Sequence, residues 1–129
     1  MTTPVLLVDP DTASRTWAAA VLKSAGHPVA QTANAAQARA AQARHQCPVV
    51  VIDPELPDMD GYELLDHVRA DARLRHVPVV MITSRAGQKH RRKARKAGAN
   101  AYLTKPYREP ELIETVNRLL AGREQKADE

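Results

Sequence analysis

Four Pro-Val pairs punctuate this chain, and each opens a short apolar run: Pro4-Val5, Pro28-Val29, Pro48-Val49 and Pro78-Val79. Proline lacks the N–H that a sheet ladder requires, so the first residue of a strand is one of the few positions that tolerate it. The runs are Val5–Val8, Val29–Gln31, Val49–Ile52 and Val79–Ile82, with a weaker fifth at Ala101-Tyr102-Leu103. Val49-Val50-Val51-Ile52 is β-branched throughout. A half-exposed strand alternates apolar with polar residues, so this run reads as a strand buried on both faces.

The intervening segments have helical length and spacing. Thr12–Ala25 places Trp17, Val21 and Leu22 on one stripe and stops at Gly26. Asn34 is a candidate N-cap for the alanine-rich stretch Ala35–His45. Gly61–Ala72 carries Leu64, Leu65 and Val68, and Gly87–Ala97 ends at Gly98, a natural C-cap. Pro110–Ala121 has the clearest amphipathic pattern, with Leu112, Ile113, Val116, Leu119 and Leu120. Strand and helix alternating five times predict an α/β domain, a parallel sheet wrapped by helices on both faces. The 129 residues suffice for one domain, expected over 1–121, with 122–129 as a polar, frayed tail.

Composition narrows the setting. There is no Phe, so Val, Leu, Ile and Ala must build the core. The single cysteine, Cys47, has no internal disulfide partner and reads as a small buried residue at a strand entrance. No apolar stretch is long enough to span a membrane, and Met1-Thr2-Thr3-Pro4 lacks the features of a secretory signal, so a cytoplasmic location is expected. The net charge of +4 is unevenly spread. Residues 85–96 hold seven of the 19 basic side chains and no acid, leaving 12 basic against 15 acidic elsewhere, a net of −3.

Read by strand ends, the polar residues converge. Asp9 ends the first run with Asp11 two residues later, Asp53 the third, Thr83-Ser84 the fourth, and Lys105-Pro106 the fifth. A parallel sheet brings these together at its carboxyl edge, where open α/β folds place ligand sites. Crowded carboxylates favour a divalent cation with oxygen ligands, and Mg²⁺ suits a site offering one or two carboxylates plus waters and phosphate oxygens. A carboxylate so placed can attack a phosphoryl group and form an aspartyl phosphate. Thr83 and Lys105 could then bind the phosphoryl oxygens. Singly, each residue has an ordinary explanation: a helix cap at Asp11, a strand-end hydroxyl at Thr83, a solvated ammonium at Lys105. Their joint placement carries the argument.

The motifs Leu6-Leu7-Val8-Asp9, Ile52-Asp53 with Pro57-Asp58-Met59-Asp60-Gly61, Met81-Ile82-Thr83-Ser84 and Lys105-Pro106-Tyr107 resemble those of response-regulator receiver domains. These CheY-like phosphoacceptor modules serve two-component signalling, and the resemblance spans about residues 4–121. It implies a doubly wound five-stranded sheet of order 2-1-3-4-5. It further implies Asp53 as phosphoacceptor, with Asp9 and the backbone carbonyl of Glu55 at an Mg²⁺ site. Thr83 would bind the phosphoryl group, Lys105 would pair with it, and Tyr102 would swing inward as Thr83 is recruited. A cis Lys105–Pro106 bond and a loop-closing role for Gly61 are also implied. Such a chain is a switch with slow self-dephosphorylation rather than an enzyme. Its partners would be a histidine kinase or phosphotransfer protein and a downstream protein that binds the helix 4/strand 5/helix 5 face. It would be a monomer or weak dimer.

Pro10 departs from the family pattern, which has a second acid there as a direct metal ligand. Asp11 could substitute only if the loop redirects it, so the resemblance implies weakened Mg²⁺ binding. That motivates an alternative reading, a receiver-like adaptor that binds partners without phosphorylation. A third, enzymatic reading takes Asp9-Pro10-Asp11-Thr12 as the DxD motif of haloacid-dehalogenase-type phosphatases, but it leaves Asp53 without a role. The stretch 82–90, with Gly98-Ala99-Asn100 and Lys105-Pro106-Tyr107, looks like receivers of chemotaxis-type hybrid histidine kinases. The basic segment 85–96 suits an acidic partner surface or a solvated helix face. Nucleic-acid binding is not expected, because no aromatic residues interleave with the charges.

Overall fold

In a computed structural model, residues 3–128 are described. Five strands, β1 (Val5–Val8), β2 (Val29–Thr32), β3 (Val50–Ile52), β4 (Val79–Thr83) and β5 (Ala101–Thr104), form one sheet. Its order is β2-β1-β3-β4-β5 and every pairing is parallel. Five helices alternate with them: α1 (Thr12–Ser24), α2 (Ala35–Arg44), α3 (Gly61–Ala70), α4 (Gln88–Ala97) and α5 (Glu109–Asp128). The expected architecture is therefore the one adopted.

The period of two along each strand divides the core into two layers. Leu6, Val8, Val50, Ile52, Val79 and Met81 face α2, α3 and α4 and pack with Ala38, Leu64, Leu65, Val68 and Ala94. Val5, Leu7, Val51, Val80 and Ile82 face the other way, against Ala18 and Leu22 of α1 and Leu112 and Val116 of α5. All residues of β1, β3 and β4 are buried, which explains why the apolar runs there are unbroken.

Element ends follow from capping chemistry. The Asp11 side chain accepts from Ser14 N–H, and Asn34 does the same for Gln37 N–H at α2. Gly98, at φ 104°, ends α4 in the left-handed conformation that glycine adopts without steric cost. Helix α3 stops at Ala70, two residues early, because the Asp71 carboxylate accepts from Arg73 N–H and turns the backbone out of the helix. Helix α5 instead continues past the expected end at Ala121 as far as Asp128. Gly122 is not in a left-handed conformation, and Arg, Glu, Gln, Lys and Ala follow, all good helix formers. The side chains of residues 123–128, and Glu129, lie outside the described residues. Among the described residues no helix is long and apolar enough to cross a membrane.

Candidate functional site

The chain leaves β1 towards β2 on one side and returns to β3 on the other, so a crevice opens at the carboxyl ends of β1 and β3. Asp9 follows β1 and Asp53 follows β3, one on each side of it. The Lys105 Nζ, following β5, bridges them, donating to Asp9 Oδ2 at 3.0 Å and to Asp53 Oδ2 at 2.9 Å. Asp9 is buried, at 4% exposure, and the Asp53 side chain retains 13%. Burial disfavours the Lys105 ammonium, but hydrogen bonds and charge attraction from Asp53 and Asp9 outweigh it and raise its pKa above the ordinary lysine value.

Local turns hold the two carboxylates still. Asp9 Oδ1 accepts from Asp11 N–H at 2.9 Å, and Asp53 Oδ1 accepts from Glu55 N–H at 2.8 Å. Each acid thus spends one oxygen on its own loop and offers the other to the crevice. The peptide bond between Lys105 and Pro106 is cis, as expected. Gly61 closes the loop after Asp53: its N–H donates to Pro54 O, and a Cβ there would lie 2.5 Å from Pro54 Cα and 2.9 Å from Asp53 O. Only glycine fits so close an approach.

Thr83 and Tyr102 meet on the backbone of one residue. Thr83 is buried, and its Oγ1 accepts from Arg85 N–H at 3.2 Å, while the Tyr102 hydroxyl donates to the carbonyl of the same Arg85. The Arg91 guanidinium lies 5.6 Å over the Tyr102 ring. Thr83 is paired across the ladder with Thr104, whose Oγ1 is buried without a hydrogen-bond partner.

The crevice offers a divalent cation two carboxylates, Asp9 and Asp53, a set that suits Mg²⁺, since that ion keeps several waters. The Asp11 carboxylate is held at the N-cap of α1, so the loop does not redirect it to the crevice. Pro10 contributes no ligand, and among the described residues no three acids, histidines or cysteines are close enough to share a metal. The site therefore has two carboxylates rather than three.

Sequence reasoning missed several neighbours. Arg15 Nη1 donates to the Asp9 carbonyl at 2.8 Å, fixing the acidic loop to α1. Arg85 pairs with Glu55 at 3.2 Å across the mouth of the crevice, though both are exposed and the pair is worth at most about 1 kcal/mol. Asp58, beyond β3, accepts from Ala35 and Ala36 N–H at the start of α2, and those two bonds hold its carboxyl below the usual carboxylate range. Tyr107 is pushed up to about 12 by burial and meets Trp17 edge-on, ring centres 5.3 Å apart. Asp58 and Tyr107 lie within the motifs, but the partners that all these side chains meet follow no spacing, so only the folded chain reveals the contacts.

The model of the response regulator receiver domain matches residues 5–117. Response regulator Rre1 of Synechocystis is 34% identical over 96% of this chain, which spans 54% of that relative's length. The polar-differentiation response regulator DivK of Brucella ovis is 27% identical over 93% of this chain and 98% of its own. A solved structure of the receiver domain of the sensor histidine kinase PA1611 from Pseudomonas aeruginosa superposes with a TM-score of 0.85. It is 31% identical over 94% of this chain and 99% of its own, and has a magnesium ion coordinated in its active-site cleft. With the family match covering both strand-end carboxylates, the bridging lysine and every strand between them, the chain belongs to the receiver domains of two-component response regulators.

Proposed function

We propose that Asp53 accepts a phosphoryl group from the phosphohistidine of a partner histidine kinase or phosphotransfer protein. The observation that carries this reading is the Lys105 bridge between Asp9 and Asp53 at the crevice of the sheet. In the transfer, Asp53 Oδ2, the oxygen that faces the crevice, forms a bond to phosphorus as the phosphorus–imidazole nitrogen bond breaks, leaving an acyl phosphate and a free histidine. Lys105 passes from Asp53 Oδ2 to a phosphoryl oxygen, and Asp9 holds the ammonium throughout. Mg²⁺, held by Asp9, Asp53 and the Glu55 carbonyl, would neutralise charge on the phosphoryl oxygens. Thr83 donates its hydroxyl to another phosphoryl oxygen. Because Thr83 and Tyr102 hold the N–H and the carbonyl of the same residue, Arg85, moving one pulls on the other. The surface formed by α4, β5 and α5 then changes its affinity for a downstream protein, and the cationic α4 suits an acidic one.

Acetyl phosphate labelling with and without Mg²⁺, read by intact mass, tests this. One added phosphoryl group in the wild type, absent from Asp53→Asn, is expected. An unlabelled wild type, or label persisting in Asp53→Asn, overturns it. Pro10 favours a second reading, an adaptor that binds partners unphosphorylated; failure to bind Mg²⁺ at millimolar concentration in a titration would select it.

A further inference from the structure

A groove of about 770 Å³ lies at the opposite, amino-terminal edge of the sheet, between the end of α2, the loops entering β3 and β4, and α5. Its size falls within the range of small-molecule sites, roughly 300–1,000 Å³. Its apolar surface comes from Cys47, Leu74, Val77 and Leu119. Its polar lining includes Arg73 and Arg118, with His45, His76 and Gln42, and among the described lining residues there is no acid. Arg73 is 3.7 Å from Asp71, an exposed and weak pair. Arg118 has no ion-pair partner among the described residues.

Gln42 supplies an independent sign. It is 6% exposed, and its Nε2 has no hydrogen-bond partner. A buried donor left unpaired costs free energy, and native folds rarely leave one without a reason. The cations and the unpaired amide all seek an oxygen acceptor, while the surface beneath them is apolar.

We propose that this groove binds a small amphipathic anion, a carboxylate or sulfonate head on an apolar body of about ten carbons or an aromatic bicycle. The head pairs with Arg118 and gives an acceptor to the Gln42 amide, and the body covers Leu74, Val77 and Leu119. The site is remote from Asp53 and does not depend on phosphorylation.

Decanoate and anilinonaphthalene sulfonate are the probes, titrated into ¹⁵N-labelled protein. Saturable shifts are expected at amides of residues 42–47, 74–78 and 118–122, leaving those of α4 in place. Arg118→Glu should weaken binding by about tenfold or more, with an unchanged thermal melt, and Arg118→Lys should restore most of it. Decylamine should not compete. Equal binding of decylamine, unaltered affinity in Arg118→Glu, or shifts centred on α4 would overturn the proposal. So would Arg118-dependent binding to phosphatidylglycerol vesicles without binding of free decanoate, which would make the groove a membrane contact.

Discussion

Gly61 sits so close to the Asp53 loop that one methyl group should disturb it. A Cβ 2.5 Å from Pro54 Cα meets backbone, which cannot swing aside as a side chain can. Gly61→Ala is therefore expected to cost about 1–3 kcal/mol in urea unfolding and to slow labelling at Asp53; an unchanged midpoint would refute the contact. Lys105 makes a second residue-scale prediction. Its pKa is raised in the fold, so its contribution to stability is complete below the unfolded lysine pKa of about 10.4 and is lost as pH rises through the higher folded value. Denaturation measured from neutral to alkaline pH should show this loss in the wild type and not in Lys105→Met. Matching profiles in the two proteins would contradict it. The identities of Asp9, Asp53, Thr83 and Lys105 were legible in the sequence because each ends an apolar run. Their state was not: that one ammonium bridges two carboxylates depends on the cleft between β1 and β3.

At the scale of elements, the loop from β1 to α1 has the most to decide. Asp11 caps α1, so Asp11→Ala should cost about 1 kcal/mol of stability while leaving Mg²⁺ affinity as it was; a lost metal site would show that Asp11 is a ligand after all. Helix α4 is the other element to watch. Among its ten residues only Ala94 is buried, and its N-cap, Gly87, provides no side-chain cap. Few apolar contacts mean cheap local opening, so its amides should exchange with deuterium well before those of β3, β4 and α1. Exchange as slow as in those elements would remove α4 as a readily moved output element. The sequence showed α4's cationic character and its poverty of apolar residues. It did not show that Arg91 and Lys93 lie over the rings of Tyr102 and Tyr62, because those aromatic residues belong to β5 and α3.

Across the whole molecule, the site adjoins the α1 and α5 layer at the carboxyl edge. Tyr107 lies two residues beyond Lys105 and touches Trp17 of α1, the single tryptophan. Movement of Lys105 from Asp53 to a phosphoryl oxygen should shift that contact, so Trp17 emission should change on phosphorylation in the wild type and stay constant in Asp53→Asn under the same conditions. Constant emission from fully labelled protein would disconnect the two. Charge is distributed on the same scale, with the cationic segment 85–96 set against an otherwise acidic-leaning chain. Association through α4 should accordingly weaken as salt is added.

The sequence by itself determined the βα alternation, the single parallel sheet and the four strand-end residues, because unbroken β-branched runs and Pro-Val starts leave little choice of local structure. Helix ends were less secure. Residues 123–128 continue α5 because polar residues with good helix propensity need no apolar stripe to extend an existing helix. Only the tertiary structure decided how the site is wired. Asp11 is turned to α1, Arg15 is tied to Asp9, Thr83 and Tyr102 share Arg85, and an uncovered groove lies at the far edge. Those contacts join residues whose separation in sequence follows no period, and a periodic pattern can predict an element but not the partner that a side chain meets across the fold.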